Sequence, residues 1–229
     1  MNKNSSKTQK INRREYNAQM LETITKQLNK FPLTKRQPSF NKGSTSAAVL
    51  VVLHGDADDP QIVLTQRANH LNNHPGEVAF PGGMWDPIDN HLLDTALREA
   101  MEEVGLNPQL VRTIATLPVA SPKRRNLMVT PFVGLVDGPL QLVADPNEIG
   151  AIFHLPVSQL LNMDHYQYFE IRNNGEALKF PYLAYKGYKV WGFTLKVLVD
   201  LVNHTLEAGI DLMYPSEKRI DELRRRGKR

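Results

Sequence analysis

Apolar positions switch along the chain between the spacing of helices and that of strands. Near the N-terminus they recur four residues apart from Tyr16 through Met20 and Ile24 to Leu28, which predicts a helix with one apolar face. The continuous apolar stretch "AAVLVVLHG" predicts a buried strand, and "QIVLTQRA" predicts the next one. The first quarter of the chain therefore predicts one helix followed by two strands.

Apolar and turn patterns predict further elements up to the C-terminus. The sequence predicts strands around 112–120 and 127–136, a short helix in "VSQLLNM", and a long β-hairpin turned at Asn174-Gly175. It also predicts a helix from Trp191 to about Leu206 and a last capped helix from Ser216 to Arg226. This order predicts a mixed α/β domain over residues 45–208. It is preceded by a basic extension with an amphipathic helix (1–44) and followed by a basic helical tail (209–229).

Composition narrows the class of protein. Hydrophobic residues make up 41% and charged residues 23% of the 229, which is the balance of a globular protein. No apolar run approaches the roughly 20 residues of a membrane-spanning helix, and the N-terminus lacks the apolar core of a secretory signal. We therefore expect a cytoplasmic protein with no membrane partner; a homodimer is compatible with this composition.

The absence of cysteine excludes disulfides and thiolate metal sites, and the scattered histidines argue against zinc. Charge is concentrated at the two ends. Residues 1–36 carry nine Lys/Arg against two acids, and residues 218–229 carry seven against two. Subtracting these +7 and +5 from the net charge of +4 leaves −8 for residues 37–217. Nucleic acid is not expected to bind the acidic body.

An acidic helix is the main candidate for chemistry. On a helix over Leu92 to Val104, Glu99, Glu102 and Glu103 fall on one side, while Leu93, Leu97, Met101 and Val104 fall on another and are expected to pack. Like charges at this spacing are unfavourable unless a cation is supplied, and Arg98 can reach Glu102.

Carboxylate ligands favour a hard cation such as Mg²⁺ or Mn²⁺. The alternative is a solvated face of charged residues. The glycine turn Pro81-Gly82-Gly83 before the helix, and Gly105 at its end, favour a binding site.

The stretch from Gly83 to Leu106 resembles the signature of the Nudix hydrolase family, G-x5-E-x7-R-E-U-x-E-E-x-G-U with U apolar. Its second half matches at every position from Arg98 onward. The segment before Arg98 is one residue longer than the common signature. The first Glu is replaced by Asp89 or Asn90, depending on where the extra residue is placed. That Glu is a supporting position in the family rather than a metal ligand.

One branch of the family, the coenzyme A pyrophosphatases, carries this longer signature together with a second one. The stretch "LTQRANHLNNHPGEVAFPGG", from Leu64 to Gly83, resembles the pattern L-L-T-x-R…H-x-G-E-x-x-F-P-G-G of that branch, although Asn72 stands where Arg or Lys is common. The stretches "VTPFVG", "PNEIGAIFHLPVSQLL" and "VWGFT" also look like it. The resemblance spans about residues 47–206.

The resemblance implies a Nudix-type α/β/α sandwich with a mixed central sheet, and hydrolysis of a diphosphate by an activated water. Glu99, Glu102 and Glu103 would bind Mg²⁺ or Mn²⁺, and one of them would accept the proton of the water. Arg98 would orient Glu102, and the carbonyl of Gly82 would complete the coordination.

Further residues are candidates for binding the substrate or the metal. Arg67, at the end of a strand, could hold a phosphate or form a surface salt bridge. Glu148 could be a further metal ligand or base, or an exposed loop residue, and His74 and Glu77 belong to the second signature. The basic run Lys123, Arg124 and Arg125 could contact a 3′-phosphate or remain solvated.

Three functions follow from this reading. The first is cleavage of coenzyme A or acyl-coenzyme A to 3′,5′-ADP and a phosphopantetheine product. The second is the same chemistry on another nucleoside diphosphate derivative, such as ADP-ribose, NADH or a nucleotide. The third is a binding protein without catalysis, whose basic tails attract polyanions. The intact glutamates argue against the third.

Overall fold

The computed structural model describes residues 19–39, 45–121, 126–138, 140–173, 176–216 and 219–220. Its helices are α1 (Met20–Leu28), α2 (Leu92–Val104), α3 (Val157–Leu160) and α4 (Gly192–Leu206). Its strands are β1 (Thr45–His54), β2 (Gln61–Arg67), β3 (Val78–Ala79), β4 (Gly82–Met84), β5 (Arg112–Thr116), β6 (Leu127–Val136), β7 (Ile149–Pro156), β8 (Tyr166–Asn173), β9 (Glu176–Tyr185) and β10 (Tyr188–Trp191).

The first seven strands form one mixed sheet. Strand β1 pairs in parallel with β6 along its whole length, and it pairs antiparallel with β2 and β4 on its other edge. Strand β2 pairs with β3 and β7, and β5 pairs with β6. The predicted mixed central sheet is therefore confirmed.

Helices cover both faces of this sheet, which explains why β1 is apolar from Ala47 to Leu53. Alternate residues of β1, Ala48, Leu50 and Val52, pack with α2 on one face. Val51 and Leu53 point to the other face, where α1 and α4 complete a second core. The predicted α/β/α arrangement is thus observed, and α1 shares a core with the sheet. The domain boundaries at 44/45 and 208/209 stay predictions.

A second sheet of three strands, in the order β10-β9-β8, lies beyond the central one. The sequence predicted a single hairpin here, which is wrong by one strand. The chain turns again at Lys186-Gly187, where both residues have positive φ, and β10 pairs back onto β9. The predicted turn at Asn174-Gly175 lies outside the described residues, between two strands that do pair.

Other elements differ from expectation in smaller ways. Strand β7 was not predicted, and the strand predicted over 112–120 ends at Thr116. The short strands β3 and β4, which lie on either side of Pro81, were not predicted. Tyr16 and most of the predicted last helix lie outside the described residues. No helix in the described ranges is long and apolar enough to cross a membrane.

Candidate active site

Two glycines bring the backbone of β4 against the acidic side of α2. Gly82 has φ 150°, and a Cβ there would lie 2.3 Å from the carbonyl oxygen of Ala48. A Cβ at Gly83 would lie 2.4 Å from the carboxyl carbon of Glu99. A side chain at Gly82 would clash with fixed backbone, and one at Gly83 would displace the carboxylate of Glu99. The two glycines therefore allow the strand and the glutamate to meet.

Helix α2 packs on the sheet through a different set of residues than the sequence predicted. Leu93 and Val104 are buried as expected, but Met101 is 50% exposed. The small residues Ala96 and Ala100 take the central contacts and allow close approach to β1. The buried side is therefore rotated toward Glu103, which is only 6% exposed. Gly105 ends the helix with φ 67°, as predicted.

Arg98 connects the loop before α2 to two of the glutamates. Its Nε and Nη2 donate to the two carboxylate oxygens of Asp89, each at 3.0 Å. Its Nη1 donates to Glu99 and Glu102, each at 2.9 Å. These bonds, the one to Asp89 above all, raise the pKa of Arg98 above its ordinary value. Arg98 therefore holds both glutamates through one rigid guanidinium.

Asp89, not Asn90, takes the place of the first glutamate of the signature. It is buried, and burial opposes its charge. The hydrogen bonds from Arg98, from Thr95 Oγ1 (2.8 Å) and from the backbone N–H of Asp86 (3.2 Å) outweigh that and lower its pKa. The role of Thr95 was missed, because no spacing in the sequence indicates a hydroxyl that binds Asp89.

Glu103 is the most buried of the three glutamates. Its Oε2 accepts a hydrogen bond of 3.0 Å from the backbone N–H of Gly82. Burial, together with the nearby charges of Glu99 and Glu148, raises its pKa to about 8, against the lowering effect of that bond. Burial likewise raises the pKa of Glu99, while its contact with Arg98 opposes the shift. The site thus holds more negative charge than its own cations offset.

The carboxylates do not converge on one point as they lie. Among the described residues, no three acidic or histidine side chains form a group arranged to hold a metal ion. Glu99 and Glu102 turn to Arg98, and Glu103 turns to Gly82. A cation would therefore compete with Arg98 for two of its ligands. The oxygen-only donors and the excess negative charge nevertheless fit a hard divalent cation.

Arg67 and Glu148 lie close to this group. Their charges act on Glu103 in opposite directions, since Arg67 lowers its pKa and Glu148 raises it. The backbone explains their approach: Arg67 pairs with Ile149 between β2 and β7, and Ala68 N–H donates to the carbonyl of Glu148 (2.9 Å). The pairing of β2 with the unpredicted strand β7 therefore brings two distant predicted residues to one place.

His74 and Glu77 form a pair in the loop after β2. The two side chains are 2.7 Å apart and each is about two-fifths exposed, at 41% and 38%. The backbone N–H of Arg67 donates to the carbonyl of Glu77 (2.9 Å), so this loop closes back on the end of β2. Lys123, Arg124 and Arg125 lie outside the described residues.

The sequence matches a known protein family and is similar to proteins of that family. Residues 44–172 match the NUDIX domain family. The chain is 34% identical over 179 residues to the "Uncharacterized Nudix hydrolase NudL" of Enterobacter sp. (strain 638), covering 78% of this chain and 93% of that one. The protein of the same name from Salmonella newport (strain SL254) is 35% identical with the same coverage.

Among solved structures, the chain resembles the NUDIX domain of Shewanella oneidensis NrtR complexed with ADP ribose. The sequence identity is 16% and the TM-score is 0.49, over 72% of this chain and 90% of that one.

Proposed function

The chain belongs to the Nudix family and is a pyrophosphohydrolase, and we propose that it cleaves the diphosphate of coenzyme A or acyl-coenzyme A. The observation that supports this substrate is the second signature, from Leu64 to Gly83. It runs from β2 to β4 and includes Arg67, whose charge acts on Glu103. A diphosphate bound by Arg67 would therefore lie beside the acidic helix.

Nudix hydrolases use divalent cations, and we assign Mg²⁺ or Mn²⁺ to Glu99, Glu102 and Glu103, with Glu148 and the carbonyl of Gly82 as further ligands. When bound, the cation neutralises phosphate oxygens and lowers the pKa of water. The donor set supports a hard ion, since it consists of oxygen atoms only.

The remaining catalytic and binding roles are assigned to side chains of the protein. Without a cation, burial raises the pKa of Glu103 to about 8, so a bound cation is needed to keep it ionised near neutral pH. We assign to the ionised Glu103 the role of accepting the proton of the attacking water. Arg98 holds Glu99 and Glu102 while Asp89 holds Arg98. Arg67 orients a phosphate through two parallel hydrogen bonds. His74 and Glu77, and the run Lys123, Arg124 and Arg125, are assigned to the rest of the substrate.

One observation favours the second substrate class, another nucleoside diphosphate derivative. Asn72 is exposed and uncharged where the coenzyme A signature commonly has Arg or Lys. The contact that Arg or Lys would make with a phosphate is therefore absent. A substrate without a 3′-phosphate would lose less binding free energy through this absence than coenzyme A would.

A substrate panel separates the two classes. The purified protein is incubated with Mg²⁺ or Mn²⁺ and with coenzyme A, dephospho-coenzyme A, ADP-ribose or NADH, and the products are identified by mass. We expect 3′,5′-ADP from coenzyme A, and slower cleavage of dephospho-coenzyme A. Cleavage confined to ADP-ribose or NADH would overturn the coenzyme A assignment and keep the metal site.

A further inference from the structure

A cavity of about 470 Å³ opens between the second sheet and the segment after α4. Tyr168 of β8 and Tyr214 of that segment contribute aromatic walls, and Leu178 and Met213 contribute apolar lining. Its volume lies in the range of small-ligand sites, roughly 300–1,000 Å³. None of its described lining residues belongs to α2, β4 or the loop after β2, so it is separate from the candidate active site.

The segment that forms one wall is anchored by specific hydrogen bonds. The side chain of Asn203 on α4 donates to the carbonyl of Ile210 (2.9 Å) and accepts from its N–H (2.8 Å). Three residues later, the N–H of Met213 donates to the hydroxyl oxygen of Tyr168 (3.3 Å). The chain is thus tied to α4 at one end and to β8 at the other, which gives the cavity a defined shape.

The rim of the cavity is positively charged. Lys179 and Arg219 both line it, and Lys179 has 70% of its side chain exposed. Within the described lining the only carboxylate is Glu170, which lies 2.7 Å from Arg172 but 4.0 Å from Lys179. Arg219 belongs to the basic run 218–229, with seven Lys/Arg against two acids. Among the described lining residues, the two cations therefore outnumber the one carboxylate.

The cations and aromatic rings that line the cavity indicate which class of ligand it binds. Two cations exclude a metal ion and suit a phosphate, which Arg binds bidentately. Tyrosine rings and apolar side chains suit a planar base, since base–aromatic stacking tolerates any sequence. We propose that this cavity binds a nucleoside phosphate, with the base against Tyr168 and Tyr214 and the phosphate between Lys179 and Arg219. The unit is either a free nucleotide or the end of a single strand.

Calorimetry with AMP tests the site. The full chain carries Glu103→Gln and is kept metal-free with a chelator, so that the candidate active site turns nothing over. We expect Lys179→Glu with Arg219→Glu to weaken AMP binding about tenfold or more, because two charge-assisted contacts are reversed. The matched control is Lys26→Glu with Lys30→Glu, two exposed residues at α1, which should change the affinity less than about twofold.

Equal AMP affinity in the rim and control variants, or no AMP binding, would overturn the proposal. In the otherwise wild-type chain, the rim variant should keep its melting temperature and its hydrolase rate. Loss of hydrolysis in a folded rim variant would show that the cavity is part of the active site, which also overturns the proposal.

A single-stranded oligonucleotide of about ten residues distinguishes the two sources. Tighter binding than AMP, weakened by Arg224→Gln, Arg225→Gln and Arg226→Gln together, identifies a strand. Equal affinity for AMP and the oligonucleotide, unchanged by those substitutions, identifies a free nucleotide. Both results support the cavity, provided that the rim variant weakens the binding about tenfold or more.

Discussion

Two groups of like ionisable side chains lie against the central sheet, and they avoid mutual repulsion in opposite ways. Beside β4, burial raises the pKa of Glu103 to about 8, and Glu99 and Glu148 add to the shift. At the end of β1, burial lowers the pKa of His54 to about 4, and His154 adds to it. The first group needs a proton or a cation, whereas the second is satisfied without charge.

The two histidines need neither an added proton nor a cation, because they hydrogen-bond to each other. His54 Nε2 and His154 Nδ1 are 2.7 Å apart, so one neutral ring donates and the other accepts. Two carboxylates have no such solution, because neither carries a proton to donate once both are ionised. A carboxylate cluster without enough cations of its own must therefore keep a proton or bind an external cation, whereas a buried neutral histidine pair needs neither.

The largest effect is expected from Glu103→Gln, which removes the buried charge but keeps the acceptor for Gly82 N–H. We expect kcat to fall about 10²- to 10⁴-fold, as for loss of a general base. The measurement is the rate at saturating Mg²⁺ and coenzyme A, with exposed Glu207→Gln as the control. A wild-type rate in Glu103→Gln would remove the functional distinction between the two clusters.

Asp89→Asn should come next, because it weakens the anchor of Arg98 without touching the glutamates. We expect the metal concentration needed for half-maximal activity to rise about 10- to 100-fold, as for other residues that orient metal ligands. Thr95→Val should act in the same direction and less strongly. The control is exposed Asp164→Asn. An unchanged metal requirement in Asp89→Asn would show that Arg98 does not depend on Asp89.

The free energy of unfolding of the metal-free protein depends on the proton that Glu103 holds. The pKa of Glu103 is raised from 4.5 to about 8 on folding, so the folded state binds more protons in that range. Wild-type stability should therefore fall as pH rises from 4.5 to 8, and Glu103→Gln should be the more stable protein at pH 8, by about 2 kcal/mol. Urea unfolding at several pH values measures this, and parallel curves for the two proteins would contradict it.

The histidine pair should give the smallest effect and the opposite sign. The pKa of His54 is lowered from 6.5 to about 4 on folding, so its contribution is complete above pH 6.5 and is lost as pH falls toward 4. His54→Gln should therefore flatten the acid side of the stability curve by about 1 kcal/mol. The control is His204→Gln, which replaces an exposed histidine of α4. An equally steep acid side in His54→Gln would refute the neutral-pair interpretation.

The sequence predicted the parts of the fold that rest on local pattern. Strands β1 and β2 follow from continuous apolar runs, and Gly105 ends α2 as its type indicates. Strand β7 was missed because "IGAIFHLP" mixes glycine, histidine and proline with apolar residues and has no clean period. The packing side of α2 was misjudged because hydrophobicity favoured Met101, whereas close packing on β1 selected Ala96 and Ala100.

In the candidate active site, too, local contacts were predicted from the sequence, whereas contacts between distant segments were not. The spacing of Arg98 and Glu102 predicted their contact, which lies within one helical turn. The approach of Glu148 to Glu103 depends on the pairing of β2 with β7. Glu148 is also exposed, as the other alternative from the sequence had it, so its role as a ligand stays a prediction. His54 and His154 are 100 residues apart, and no motif connects them. Contacts between distant strands require the fold before they can be seen.

Proton release on metal binding tests most directly whether the acidic group is held for a cation. Mn²⁺ is titrated calorimetrically into the chelator-treated protein at pH 7, in two buffers of different ionisation enthalpy, for the wild type and Glu103→Gln. With a pKa of about 8, Glu103 is mostly protonated before the metal binds. We expect the wild type to release about one proton more than the variant. Metal binding with equal proton release in both proteins would contradict the assignment of Glu103 as a ligand.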